Sequence, residues 1–151
     1  MRAALVGAFV VAGCEPPPPP GTVTGAGPSI EILYPEQGQT VPLNDLCVLD
    51  TLLIVDIQGI DLVPPDPANL VEGQGHWHGG LSVEQGYCAS FIAYCTGGDG
   101  SPGTFDATTV SPGNVSLFAS LRDNGHVPLG AEAEVEILVE EGADAPDGGC
   151  P

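Results

Sequence analysis

The sequence predicts an all-β fold, a β-sandwich of about seven strands between residues 29 and 140. Three observations support this prediction. The 151 residues provide enough chain for one domain. Glycine and proline are abundant, at 22 and 16 residues, and divide the chain into short segments. β-Branched residues cluster in those segments, and no long helical pattern is present, which favours a sandwich with many turns.

The first predicted strand is short, covers residues 30–34 and ends at Pro35. The second covers residues 46–57 and is long and apolar. Its odd-numbered positions share one face, whereas Asp50 and Asp56 interrupt the other. We expect this second strand to be largely buried. A proline-rich loop over residues 59–72 follows it.

The third predicted strand, over residues 76–83, carries the candidate site. Because successive side chains on a strand point to opposite faces, His76 and His78 share one face. Trp77 takes the other face with Leu81, so that face is apolar. Two histidines on one face, two positions apart, form a workable metal chelate. The alternative is that both rings hydrogen-bond to nearby loop backbone at the end of a sheet.

Four further strands complete the predicted sandwich, over residues 87–94, 104–110, 115–121 and 133–139. A glycine-rich turn over residues 97–103 separates the first two. In the last strand, alanine, valine and isoleucine alternate with glutamate, which indicates one buried face and one exposed face. About seven short strands with regularly spaced turns are typical of an immunoglobulin-like sandwich.

The N-terminal region predicts export and lipid anchoring. Residues 1–13 have one basic residue and a short apolar stretch, as in a signal peptide. The segment Val11-Ala12-Gly13-Cys14 resembles the bacterial lipobox, which implies that Cys14 is lipidated and becomes the first mature residue. The alternative is an ordinary signal peptide whose Cys14 forms a disulfide. Residues 14–28 are rich in proline and glycine and predict a spacer between membrane and domain.

The charge balance excludes several classes of function. The chain has 20 acidic residues and only two basic residues, Arg2 and Arg122. Nucleic acid is therefore excluded as a partner, because phosphate contacts need lysine and arginine. The sequence contains no lysine, no nucleophile motif and no phosphate-binding loop, so we expect no enzymatic activity. The final residues, 141–151, form an acidic tail.

Chain topology is expected to bring the three histidines together. In an immunoglobulin-like sandwich the 76–83 strand begins at the end of the sheet where the 115–121 strand finishes. His76, His78 and His126 are therefore expected at one end of the domain, where they form a candidate copper or zinc site. Further ligands could come from acidic residues at the same end: Asp61, Glu72 and Asp123. The alternative is that His126 caps its turn and the histidine pair fixes a loop.

Apart from Cys14, the chain contains Cys47, Cys88, Cys95 and Cys150. An even number of cysteines in an exported chain predicts disulfides, and four cysteines allow three pairings. The predicted strand ends place Cys47, Cys88 and Cys150 near one another. Among the three pairings we favour Cys88–Cys95 together with Cys47–Cys150, which would attach the C-terminus to the domain. A zinc site made of four cysteines is less favoured in an oxidising compartment.

Three motifs resemble a family of small exported immunoglobulin-like domains, most of them uncharacterised. They are Gly75-His76-Trp77-His78, Pro112-Gly113-Asn114-Val115-Ser116-Leu117, and His126-Val127-Pro128-Leu129. The resemblance covers roughly residues 29 to 140 and implies the same sandwich fold. The family pattern often has histidine where this chain has Asn114.

Together these observations predict a lipid-anchored binding or structural module in the bacterial cell envelope. It would be anchored to the outer or inner membrane, with its domain in the periplasm or at the surface. The alternative is a periplasmic copper- or zinc-binding protein that uses the three histidines. A protein or small ligand partner is not identified by the sequence.

Overall fold

Two β-sheets make up the described part of the structure, a computed structural model that describes residues 27–81, 92–98, 104–108, 110–146 and 149–150. Within those ranges there are nine strands and no helix. The strands are β1 (Ser29–Tyr34), β2 (Thr40–Pro42), β3 (Leu52–Gln58), β4 (Asp61–Leu62), β5 (Gln74–Gly80), β6 (Tyr94–Gly98), β7 (Thr104–Asp106), β8 (Gly113–Asp123) and β9 (Pro128–Glu140). The predicted signal peptide, Cys14 and the linker as far as residue 26 lie outside the described residues.

One sheet has the strand order β1-β3-β6-β7, and the other has the order β2-β9-β8-β5-β4. The two sheets contact each other through β1 with β8 and β9, and through β5 with β7. Their facing side chains form one apolar core, with Leu53 and Phe105 from the first sheet and Trp77, Leu117 and Leu121 from the second. This arrangement confirms the all-β prediction and is consistent with a β-sandwich.

The hydrophobic alternation of β9 explains how the second sheet acquires its buried face. Val135, Ile137 and Val139 are buried, and the glutamates between and beside them are exposed. Full burial of a side chain of this size stabilises a fold by about 1.5–3 kcal/mol, so a shift of one residue in register is disfavoured. The alternation predicted from the sequence is thus confirmed.

The second predicted strand is wrong over its first half, because β3 begins only at Leu52. The side chain of Asn44 accepts hydrogen bonds from the backbone N–H groups of Leu46 (2.9 Å) and Val48 (3.0 Å). Such side-chain acceptors compete with strand pairing. Cys47 also has a positive φ of 59°, which no extended strand contains. Residues 46–50 therefore form a loop, although the strand that follows does have one buried and one exposed face.

The predicted turn at residues 97–103 begins too early, because Gly97 and Gly98 belong to β6. A Cβ at Gly97 would overlap the carbonyl oxygen of Leu49. The glycine therefore allows a close backbone approach within a strand and does not mark a turn. The 104–110 strand is shorter than predicted, since β7 ends at Asp106. The predicted 87–94 strand lies mostly outside the described residues.

A disulfide between Cys47 and Cys150 joins the loop before β3 to the end of the chain, with a Cα–Cα distance of 5.4 Å. This is one of the two pairs that the sequence analysis favoured. Cys95 is also disulfide-bonded. Its predicted partner, Cys88, lies outside the described residues. The Cys47–Cys150 bond attaches the acidic tail to the domain.

In the described part of the chain, no helix has the length and apolarity that a membrane span requires.

Candidate metal centre

β5 places two histidines on one side of the sheet because its core side is occupied by Trp77. The Trp77 ring is fully buried, and its Nε1–H donates a 3.0 Å hydrogen bond to the carbonyl oxygen of Ile92. Its cross-strand partner on β8 is Leu121, which is also fully buried in the core. His76 and His78 point to the other side, as their alternation with Trp77 requires.

Two β8 residues share the histidine side of the sheet. His76 pairs with Arg122 and His78 pairs with Ser120 in the β5–β8 register. Residues directly opposite each other in an antiparallel pair lie on the same face and are close neighbours. The Arg122 Nε–H group donates to the Ser120 hydroxyl oxygen at 3.3 Å. Both residues are buried, so the histidines lie beside a polar, buried strip of β8.

A tight turn after β8 brings in the third histidine. The Asp123 carboxylate accepts hydrogen bonds from the backbone N–H groups of Gly125 (2.8 Å) and Val127 (2.9 Å). The backbone N–H of His126 donates to the Asp123 carbonyl oxygen at 3.0 Å. His126 has a φ of 65°, in the left-handed region that residues other than glycine adopt uncommonly, asparagine, aspartate and histidine more often than the rest. These bonds hold His126 in that conformation.

The three imidazoles converge on one point. The distance from His76 Nε2 to His78 Nε2 is 3.1 Å, and the distance from His76 Nε2 to His126 Nδ1 is also 3.1 Å. The potential ligand atoms of all three rings lie within 4.8 Å of one another. His76 is fully buried, whereas His78 and His126 are partly exposed. The structure therefore brings together residues that are 50 positions apart in the chain.

The protonation states of the three rings limit which hydrogen bonds they can form with one another. A neutral imidazole has one N–H donor and one lone pair. His76 Nε2 has two ring nitrogens at 3.1 Å, so as an acceptor it has only one lone pair for two neighbours. A cation at the convergence point accepts electron density from all three nitrogens at once. The geometry can therefore form either a network of hydrogen-bonded rings or a three-nitrogen metal site.

The electrostatic environment keeps two of the rings neutral. Burial, followed by the charges of His126 and Arg122, lowers the pKa of His76 to about 4. Burial also lowers the pKa of His78 to about 4, and the charges of His76, Arg122 and His126 act in the same direction. Both rings consequently have free-base nitrogens at neutral pH, which is the form that binds metals.

The acidic residues considered as further ligands do not join the cluster. Among the described residues, the group of ligand atoms that lie together contains only the three histidines. Glu72 and Asp61 belong to the loop and short strand before β5, and Asp123 stabilises the turn that holds His126. Its carboxylate still acts on the site electrostatically, since the Asp123 charge opposes the lowering of the His76 pKa.

Sequence reasoning did not identify Arg122 or Ser120 as neighbours of the histidines. Their position depends on which residues of β5 and β8 lie opposite each other. The hydrophobic pattern of one strand shows which of its residues share a face, but it does not give this pairing. Arg122 also donates from Nη1 to the carbonyl oxygen of His126 at 3.4 Å, so it contacts the turn as well as the sheet.

In comparisons with known proteins, no family model, curated protein or solved structure matched this chain.

Proposed function

We propose that this chain is an exported, lipid-anchored β-sandwich that binds a copper or zinc ion through His76, His78 and His126. The observation that carries the proposal is the convergence of three imidazole nitrogens within 4.8 Å of one another. Three histidines with one open coordination position suit Zn²⁺ and copper, for which imidazole is a common protein ligand.

The distances between ring nitrogens support this proposal. Nitrogens bound to a common zinc ion at about 2.0–2.1 Å lie roughly 2.8–3.4 Å apart when the angle at the ion is between roughly 90° and 110°. Both His76 distances, at 3.1 Å, fall within that range. The ligand atoms of His78 and His126 are held only within 4.8 Å of each other, so an ion that binds all three rings must draw these two together. His76 and His78 would bind through Nε2, and His126 would bind through Nδ1.

The backbone of His126 gives independent support. A residue other than glycine with a φ of 65° carries a conformational cost, and such residues cluster at functional sites. The adjacent turn residues, Asn124 and Gly125, are of the types that adopt this conformation most readily. The chain instead has histidine at the position whose ring reaches His76.

The proposal includes an immunoglobulin-like form of the β-sandwich and an N-terminal membrane anchor. An immunoglobulin-like domain is supported by the strand order β9-β8-β5 in one sheet and by β2, which pairs parallel to β9 at its edge. The parallel pairing of β6 with β7 is a departure from an antiparallel sandwich. Anchoring to the membrane through Cys14 is supported by the lipobox-like segment ending at that residue and by the proline-rich linker that follows.

A second candidate function is a lipid-anchored binding or structural module in which the rings only stabilise the turn. One observation favours it. The Arg122 charge contributes to lowering the pKa of both β5 histidines, so a divalent cation at their nitrogens would experience the same repulsion. In this alternative the histidines join β5 to the β8–β9 turn through hydrogen bonds between rings.

A metal titration with matched variants distinguishes the two functions. We expect the full chain to bind one equivalent of Zn²⁺ or Cu²⁺ tightly, as measured by isothermal titration calorimetry. The test variant is His126→Asn, because asparagine tolerates the left-handed conformation and retains the turn. Loss of one ligand from three is expected to weaken binding by at least about 100-fold.

The acidic surface requires its own control, since exposed carboxylates bind divalent cations weakly. Glu136→Gln with Glu140→Gln removes two exposed charges on β9, farther along the strand from the histidines, and leaves those rings intact. This control is expected to retain the tight site. Equal weakening in the control and in His126→Asn, or no stoichiometric binding by the unmodified chain, contradicts metal binding and leaves the second function.

A further inference from the structure

A cavity of about 480 Å³ lies beside the turn that holds His126, and none of the three histidines lines it. Its walls come from Pro28, the loop before β5 and the β8–β9 turn. Small-molecule sites in proteins typically measure about 300–1,000 Å³ and combine apolar walls with a few polar groups. The apolar walls here are Ile60, Leu70, Val71 and Leu129.

Two of those apolar side chains are unusually exposed. Leu70 is 65% exposed and Val71 is 42% exposed, and they are adjacent in the chain. The Leu70 side chain also approaches Gly125, where its Cδ2 would lie 3.2 Å from a Cβ. The loop before β5 and the turn after β8 thus face each other across the cavity, with apolar surface available to a ligand.

The charges around the cavity select against anions. Glu72 and Asp123 contribute carboxylates to its lining, and no basic residue is among the described residues that line it. The formal net charge of the whole chain is −18. A concave site with acidic walls in a strongly acidic protein concentrates cations and repels anions.

A buried amide joins the turn after β8 to the loop before β5. Asn124 lines the cavity, is only 3% exposed, and donates from Nδ2 to the carbonyl oxygen of Asn69 at 3.3 Å. That bond fixes the orientation of the amide, because a carbonyl accepts only from the NH₂ end. The Oδ1 atom accepts no hydrogen bond from the described residues. That oxygen is fully buried, so a ligand in the cavity does not reach it, and the Asn124 amide instead fixes the two walls relative to each other.

We propose that this cavity binds a small organic cation, an ammonium group attached to an apolar body. The ammonium group lies toward Glu72 and Asp123, and the apolar body packs against Leu70, Val71 and Leu129. The site does not depend on a metal ion, so it extends the proposed function without resting on it.

Three probes with the same aromatic body test the proposal: 2-phenylethylammonium, 2-phenylethanol and phenylacetate. Each is titrated into the full chain, in the presence of a metal chelator, and followed by ¹H–¹⁵N NMR. The ammonium probe is expected to shift the resonances of the cavity residues saturably and to bind at least about tenfold more tightly than phenylacetate. The alcohol should fall between them.

Matched charge variants locate the effect. Glu72→Gln removes a carboxylate from the cavity and is expected to weaken the ammonium probe about fivefold. Glu134→Gln makes the same change on the exposed face of β9, away from the cavity, and should leave binding unchanged. Equal affinity for the ammonium and carboxylate probes, equal effects of the two variants, or shifts confined to residues outside the cavity would overturn the proposal.

Discussion

Gly79 shows how a single residue permits the arrangement around Trp77. A Cβ at this position would overlap the Trp77 ring and would lie 2.9 Å from Leu53 Cδ2. The Trp77 ring and the Leu53 side chain therefore occupy the space that a side chain at position 79 would fill. Glycine after the His-x-His pair is thus a packing requirement.

Replacement of this glycine is expected to destabilise the domain. We predict that Gly79→Ala lowers the free energy of unfolding by about 1–3 kcal/mol, because the added methyl group displaces the tryptophan ring or Leu53. Urea denaturation monitored by the fluorescence of Trp77 measures the change. Gly27→Ala is the matched control, since among the described residues no atom outside its chain neighbours lies within 4 Å of its Cβ position. Equal stability of the two variants would contradict this packing.

The lowered pKa values of His76 and His78 predict a pH-dependent stability. In the unfolded chain both rings take up protons near their ordinary pKa of about 6.5, whereas in the folded chain they do so only near pH 4. Between those values the unfolded state binds more protons, so stability is lost as the pH falls from about 6.5 toward 4. Urea denaturation at several pH values, without metal, measures this slope.

His78→Gln separates the histidine contribution from that of the many carboxylates. It removes one titrating ring from a partly exposed position and keeps a polar side chain there. The slope of stability between pH 6.5 and 4.5 should be smaller in this variant. An unchanged slope would mean that the folded and unfolded states protonate His78 alike.

At the scale of elements, the turn from Asp123 to Val127 decides whether a third ligand reaches β5. Its two hydrogen bonds from Gly125 and Val127 end on one oxygen of the Asp123 carboxylate. The other two ligands, His76 and His78, are positioned by the pairing of β5 with β8, which runs from Gly75–Asp123 to Gly80–Phe118. The site is thus a property of one strand pair and the turn that leaves it.

Two substitutions at Asp123 test the role of the turn. Asp123→Asn keeps an acceptor oxygen and should change stability little, whereas Asp123→Ala removes it and should cost about 1–2 kcal/mol. If the turn positions His126, Asp123→Ala should also weaken Zn²⁺ binding more than Asp123→Asn does. Calorimetry on both variants measures the two effects, and equal metal affinity would show that the turn does not position the ring.

The same strands show which parts of the structure were predictable from sequence. The parity of His76, Trp77 and His78 follows from the backbone alone, and the alternation in β9 follows from burial. The strands β2 and β4 were not predicted, because segments of three and two residues carry no periodic signal. The contact of Arg122 with the site depends on cross-strand register, and the loop at Cys47 depends on the side chain of Asn44.

At the scale of the whole molecule, the domain is closed by a bond between distant parts of the chain. Cys47 and Cys150 are separated by 103 positions, and the strands β3 to β9 lie between them. A disulfide that closes a loop of this length stabilises the folded state by about 4–5 kcal/mol in the chain-entropy model. It also attaches a tail with few apolar residues to the loop before β3.

Removal of this disulfide is expected to cause a large loss of stability. We predict that the double variant Cys47→Ala, Cys150→Ala is about 2–5 kcal/mol less stable than the unmodified chain. Thermal and urea denaturation under oxidising conditions measure the difference. A loss below about 1 kcal/mol would indicate that the unfolded chain does not gain freedom when the bond is removed.

The charge of the whole molecule makes specific and non-specific metal binding hard to separate by affinity alone, so the position of the ion is the decisive observation. The most direct measurement is a crystal structure of the full chain with one equivalent of Zn²⁺, located by anomalous scattering at the zinc edge. We predict one strong peak about 2.0–2.1 Å from Nε2 of His76, Nε2 of His78 and Nδ1 of His126. A peak bound only by surface carboxylates, or rings that remain hydrogen-bonded to one another with no ion between them, would contradict it.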